Sequence, residues 1–131
     1  GYDTCIFLNE VGKVAEGPGS CFFMVKGNTV ITPRLTDSVL ESITRDTIIK
    51  LATEELRLKF EERTIDRTEV YMADEAFLCG SAMEVTPIFT VDRYQIGTGE
   101  QGEVTKKIHM KYLECVQGRL ESRKNWITPV Y

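Results

Sequence analysis

Apolar residues occur in two kinds of spacing along this chain. Near its start they run together in short blocks, Cys5-Ile6-Phe7-Leu8, then residues 21–25, then Val30-Ile31. Short apolar runs rich in β-branched and aromatic residues and bounded by turn residues predict strands. The second and third blocks face each other across Lys26-Gly27-Asn28-Thr29, where Gly27-Asn28 supplies a tight hairpin turn, and Pro33 ends the pair. The spacing then becomes helical. Ile48, Ile49, Leu51, Ala52 and Leu56 recur on one stripe behind Ser42 or Thr44, either of which can cap a helix running to about Leu56. Residues 59–64 alternate charge around Phe60, as an edge strand does. Residues 68–72 form at most a short helix, and residues 75–78 a compact buried strand closed by Gly80. Residues 87–91 pair with Gln95-Ile96 around Asp92-Arg93-Tyr94. Val104, Ile108, Tyr112 and Val116 step by four along a last helix, which Gly118 is placed to stop. No repeat or low-complexity tract interrupts this order. Strands and helices alternating with hairpins predict one mixed α/β domain, not a purely parallel sheet.

Composition narrows the function classes. The 131 residues carry 16 basic and 20 acidic side chains, interleaved, for a net charge of -4. No basic block offers a surface to nucleic acid or to an anionic membrane. No apolar run approaches the ~20 residues that span a bilayer, and no signal peptide opens the chain. Cys5, Cys21, Cys79 and Cys115 lie far apart without a C-x-x-C pair. That spacing predicts reduced, buried thiols in a cytosolic protein instead of a disulfide framework or a zinc site. The chain opens at Gly1 without a methionine, so it is expected to be a piece of a longer protein.

Three segments offer chemistry, each at a turn or an element end. The Ile43-Thr44 pair sits where a helix begins, and the free N–H groups and partial positive charge there suit a phosphate. The alternative is simply a capped helix. Glu16 stands beside the turn Gly17-Pro18-Gly19, where a carboxylate can meet the protonated ring nitrogen of a heterocycle or merely face solvent. The Gly80-Ser81-Ala82 turn can aim consecutive N–H groups at an anion, or do no more than end a strand. Other candidates are weaker. His109 stands one step off the apolar stripe of the last helix, without metal-ligand partners at suitable spacing. Lys106, Lys107 and Lys111 read as a solvated face, and Trp126 and Tyr131 as packing anchors. There is no G-x-S-x-G, P-loop or G-x-G-x-x-G signature.

Taken together and in order, these segments resemble the C-terminal half of fold-type IV pyridoxal-phosphate enzymes. The resemblance runs through Gly1-Tyr2-Asp3, Leu8-Asn9, Ala15-Glu16-Gly17, Ile43-Thr44-Arg45-Asp46, Tyr71-Met72-Ala73-Asp74-Glu75, Glu84-Val85-Thr86-Pro87, Gly97 and Val104-Thr105. Within that family the ending Trp126-Ile127-Thr128-Pro129-Val130-Tyr131 looks like the branched-chain amino acid aminotransferases. It looks less like the D-amino acid transaminases or the aminodeoxychorismate lyases. The resemblance implies a mixed α/β fold, a barrel-like sheet with flanking helices, over residues 1–131, and pyridoxal 5'-phosphate as cofactor. Amino acid and 2-oxo acid substrates and a cytoplasmic homodimeric parent are implied with it. Glu16 matches the carboxylate that pairs with the pyridine nitrogen, and Leu40 the apolar residue packed on the ring. Ile43 and Thr44 match the phosphate donors. Ser81 stands where a phosphate-contacting threonine is usual, and the N–H groups of Ser81 and Ala82 match the hold on the substrate carboxylate.

Several positions depart from that pattern. Ser20-Cys21 replaces the usual Glu-Asn, and Glu41-Ser42 replaces Pro-Gly. Ser81 and Met83 replace a threonine and an alanine, so Met83 is expected to bulk out its turn and Glu41 to face solvent. The largest departure is an absence. The resemblance places the Schiff-base lysine a few tens of residues before Gly1 and a phosphate-binding arginine earlier still, in an N-terminal domain. The piece by itself is therefore expected to be inactive. A stand-alone ligand-binding domain that has lost the lysine is the reading from a different class.

Overall fold

The computed structural model describes residues 1–130, which leaves Tyr131, one of the two expected packing anchors, outside the described residues. In chain order the elements are β1 (Glu16–Gly17), β2 (Ser20–Lys26), β3 (Thr29–Thr32), α1 (Ile43–Lys50), β4 (Lys59–Glu62) and α2 (Arg67–Tyr71). They continue with β5 (Glu75–Gly80), β6 (Glu84–Pro87), β7 (Thr90–Val91), β8 (Tyr94–Gln95) and α3 (Glu103–Val116). The main sheet has the order β4-β3-β2-β5-β6, with β1 beside β2. Only β3 and β4 run parallel; the other pairs are antiparallel, which makes the mixed sheet that the element order predicted.

The uninterrupted apolar runs have a simple cause: β2 and β5 are buried on both faces. From β2, Cys21, Phe23 and Val25 point with Phe77 and Cys79 toward α1 and α3. There they meet Ile48, Leu51, Ala52, Ile108 and Tyr112. Phe23 and Phe77 stack with ring centroids 5.0 Å apart. The alternate residues Phe22, Met24, Ala76 and Leu78 join Val14, Ile31, Ile65, Val70 and Ile96 on the other face. Two cores therefore share one sheet, each held by burial of side chains worth roughly 1.5–3 kcal/mol apiece.

The helical stripe of α1 behaves as its spacing requires, although its last turn widens into a π turn over Leu51–Glu55, closed by the Leu56 N–H bonding to the Leu51 carbonyl at 3.0 Å. Four expectations need correction. Cys5 is exposed, so only Cys21, Cys79 and Cys115 are buried thiols. The Cys5-Ile6-Phe7-Leu8 block does not become a strand, because β1 offers it an edge only two residues long. It lies extended there, with the Phe7 N–H on the Glu16 carbonyl at 2.7 Å. The late hairpin is β7 with β8 around Asp92-Arg93, while Pro87 belongs to β6. Val116 is exposed and Cys115 buried in its place, because a step of four overshoots the 3.6-residue turn and walks off the buried stripe. His109 is half-buried and Lys106 and Lys107 are exposed, as expected, whereas Lys111 is half-buried and bonded to Glu114 at 2.9 Å instead of forming part of the solvated face. Trp126 packs against the α1–α3 core with Lys50 and Arg123 over its ring. No helix among the described residues is long and apolar enough to cross a membrane.

The start of α3 is held from the sheet. The Glu75 carboxylate on β5 accepts the N–H groups of Val104 at 3.0 Å and Thr105 at 2.6 Å. The carboxylate lies close against Gly102, where a Cβ would fall 2.0 Å from Glu75 Cδ, so a side chain there would push Glu75 off these donors. Replacing Glu75 with alanine should strand two buried helix donors and lower stability by about 1–2 kcal/mol. Urea unfolding of the variant measures this, and an unshifted midpoint would show that the cap contributes nothing.

Candidate functional site

The three chemistry-bearing segments gather where β1 and β2 begin and β5 ends. Glu16 lies in register opposite Cys21. It is half-buried, and its Oε2 accepts the Leu40 N–H at 3.0 Å. Glu16 is thus no free turn acid; one oxygen is tied to the loop that enters α1. The Leu40 side chain is 74% exposed and stands clear of the core.

Ser42 begins α1. Its hydroxyl accepts the Arg45 N–H at 3.2 Å and its carbonyl the Asp46 N–H at 3.0 Å. A helix start has four N–H groups without helical partners, and this cap leaves those of Ile43 and Thr44 unpaired among the described residues. The Thr44 side chain is buried. Ile43 turns its own side chain to solvent, 89% exposed. Glu41 is exposed as expected. The turn is fixed in place by Arg45, whose buried guanidinium reaches the Pro33 carbonyl at 3.0 Å and Glu62 at 2.7 Å.

Ser81, Ala82 and Met83 connect β5 to β6 between the paired residues Gly80 and Glu84. The strand end is closely packed: a Cβ on Gly80 would lie 2.8 Å from the Gly19 carbonyl oxygen. Ser81 and Ala82 are exposed, and their N–H groups have no partner among the described residues. Met83 does not fill the mouth of the turn as expected. It is half-buried and packs on the second core, so its bulk is absorbed by the sheet.

Beneath these groups lies a pair that was not singled out as functional, although the departure at Ser20-Cys21 was its signal. Cys21 and Cys79 face each other in register. The facing Cys79 thiol lowers the Cys21 pKa to about 7. Ser42 and Arg45 act in the same direction, while burial and the nearby Glu16 oppose. The shared proton and burial push Cys79 well above the ordinary thiol range. Contacts thus link β1, β2, β5 and the start of α1 into one patch. A cavity of about 270 Å³ lined by Ile6, Val14, Val70, Leu78 and Ile88 among others includes none of the expected site residues, whereas a larger open one of about 510 Å³, lined by Leu35, Glu41, Ser42, Ile43, Arg45 and Asp46, lies at the start of α1 and includes Ile43. No metal-binding cluster occurs among the described residues.

The family model described as amino-transferase class IV matches residues 1–91. A probable branched-chain-amino-acid aminotransferase of Aquifex aeolicus is 47% identical over 131 residues, covering 100% of this chain and 42% of that protein. The branched-chain-amino-acid aminotransferase of Salmonella typhimurium is 42% identical over 99% of the chain and 42% of its own length. Among solved structures, the PLP-form branched-chain amino acid aminotransferase of Thermobaculum terrenum superposes with a TM-score of 0.97 at 54% identity, over 100% of this chain and 43% of that one. The branched-chain aminotransferase of the thermophilic archaeon Thermoproteus uzoniensis, solved with norvaline, superposes at 0.94 with 43% identity, over 100% of this chain and 43% of that one. The chain therefore spans less than half the length of these relatives.

The thiol pair makes a pH-dependent prediction. With its pKa lowered to about 7 in the folded chain, the Cys21 thiol is expected to lose its proton earlier there than in the unfolded chain, where the ordinary value of 9.0 applies. Between those two values the unfolded chain holds the extra proton, so stability should rise with pH. Above the ordinary value the sign reverses, because folded Cys79 keeps a proton that an unfolded thiol loses. Thiolate ultraviolet absorbance, taken as the difference between the natural chain and Cys21→Ser, should show the first titration near 7. Cys79→Ala should move it upward. A first thiolate that forms only in the ordinary range would contradict the shared proton.

Proposed function

The chain belongs to the class IV aminotransferase family, and from that premise we propose that it is the cofactor-holding part of a branched-chain transaminase. The parent would be a cytoplasmic homodimer. It would move amino groups between leucine, isoleucine or valine and 2-oxoglutarate. Residues 1–131 would form its C-terminal domain, with the Schiff-base lysine in the remainder. The observation that carries the reading is the set of unpaired main-chain N–H groups at Ile43, Thr44, Ser81 and Ala82 around one tethered carboxylate, Glu16.

That donor set fits pyridoxal 5'-phosphate. The N–H groups of Ile43 and Thr44, with the Thr44 hydroxyl, would hold the phosphate at the positive end of α1. The Ser81 hydroxyl would add a donor from the other side. The Glu16 carboxylate, oriented through Leu40, would keep a proton on the ring nitrogen, and exposed Leu40 would cover the ring face. When bound, the cofactor supplies an electron sink for removal of the substrate Cα proton. The N–H groups of Ser81 and Ala82 would fix the substrate carboxylate so that this proton points at the base. Only interactions strengthened as charge develops raise the rate, and the Glu16 pairing is of that kind.

The test uses the full-length protein with leucine and 2-oxoglutarate. Glu16→Gln should lower kcat by orders of magnitude while the phosphate donors keep the cofactor bound. An unchanged rate would remove Glu16 from the cofactor role. Borohydride reduction of the same protein with pyridoxal phosphate should label one lysine outside residues 1–131. Stoichiometric labelling of a lysine within them would overturn the assignment of that residue to the rest of the protein.

A further inference from the structure

We propose that Thr86 sets the shape of the substrate-carboxylate turn, acting as a positioning residue that touches neither substrate nor cofactor. The inference rests on the reading of Ser81 and Ala82 given above. The connection from β5 to β6 has three residues, Ser81, Ala82 and Met83, between paired Gly80 and Glu84. Glu84, the paired residue that receives the chain from this turn, is left-handed, with φ of 53°, a conformation that glycine adopts most readily. A side chain in that conformation is strained and persists only where its surroundings over-determine it.

Thr86 supplies the constraint. Its hydroxyl donates to the Met83 carbonyl at 2.7 Å, across the strained residue. The bond fixes the direction of the peptide unit entering Glu84. The Met83 side chain packs on the second core, and Gly80 is packed against the Gly19 carbonyl. With the Met83 carbonyl held and Gly80 immobile, the two N–H groups between them, on Ser81 and Ala82, have little freedom left. They stay presented, side by side and unpaired, at the exposed edge of the site. Without the hydroxyl, Glu84 can relax out of the left-handed region and carry Ala82 with it. The main-chain phosphate donors belong to α1 and the turn offers the phosphate only the Ser81 hydroxyl, so a loosened turn should weaken substrate more than cofactor.

Three variants of the full-length protein test this: Thr86→Val, which keeps shape and loses the hydroxyl, Thr86→Ser, which keeps the hydroxyl, and Thr86→Val with Glu84→Gly. Thr86→Val should raise KM for the amino acid about tenfold, the size of one lost hydrogen bond, with kcat and the pyridoxal-phosphate Kd changed by no more than about twofold. Thr86→Ser should keep KM near the natural value. Adding Glu84→Gly should recover part of the loss, because glycine holds the left-handed turn without strain. Amide exchange over residues 81–84, measured without substrate, should quicken in Thr86→Val and not in Thr86→Ser. Unchanged KM and exchange in Thr86→Val would overturn the proposal, as would equal losses of substrate and cofactor affinity or failure of serine to substitute. A natural protein that neither binds pyridoxal phosphate nor transaminates would sink the reading of the site and this inference together. One that does both beside an unaltered Thr86→Val variant would sink the inference alone.

Discussion

The start of α1 is pinned over the end of the sheet by Arg45, and the geometry of the site depends on that anchor. The guanidinium is buried, bonded to the Pro33 carbonyl just past β3 and to Glu62 on β4, with Nε left unpaired. Burying a charge is costly, and an ion pair recovers that cost only with good geometry and further hydrogen bonds. Glu62 keeps 41% of its side chain in solvent, which weakens the attraction but also spares its desolvation. Such a contact contributes placement more than stability. It sets where the first turn lies, so the unpaired N–H groups of Ile43 and Thr44 come to rest beside Cys21 and Glu16. Severing it would leave a buried charge with only a carbonyl partner and free the helix start.

A second consequence follows from β2 and β5 being buried on both faces. Strands clamped between two cores cannot shift register without turning every side chain to the wrong environment. Cys21 therefore stays opposite Cys79, and Gly80 stays against Gly19. The site is built on the ends of these rigid strands and on a helix start, with short turns supplying the donors. That arrangement keeps polar main-chain groups at fixed positions where no side chain pairs them.

Local chemistry explains which parts were legible in the sequence. Gly27-Asn28 announced its hairpin because few residues tolerate the left-handed turn, and the α1 stripe announced itself by spacing. The Glu16, Ile43-Thr44 and Ser81-Ala82 segments were each ambiguous alone, since a capped helix and a strand-ending turn look the same with or without a ligand. Their proximity comes from tertiary contacts, such as the Leu40 N–H on Glu16, which no local pattern encodes. Illegible for the same reason were the sharing of a proton between Cys21 and Cys79, the turning of Met83 into the second core, and the cap that Glu75 places on α3. Each joins residues 29 or more positions apart or depends on which side of a strand faces which core. Val116 shows the opposite failure, a local periodicity pushed one step too far.

The exposed apolar residues and the unpaired donors lie together, and this limits what can complete the site. Leu40 and Ile43 are 74% and 89% exposed beside N–H groups that want an anion. Water can satisfy the donors but gains nothing from the leucine and isoleucine side chains. A ligand with an anionic group and a flat apolar ring satisfies both at once, and that combination favours a phosphorylated heterocycle over a simple phosphate. Burial of the ring must come from two sides, however, and the chain presents only one. The relatives it matches are more than twice as long. In the proposed reading the rest of the protein closes over Leu40, supplies the base, and removes from water the electrostatic pairing that Glu16 makes. Charge pairing gains strength as the effective dielectric falls. Glu16 is therefore tethered in advance by Leu40, and its full effect on the ring nitrogen would be reached only when the second wall is in place.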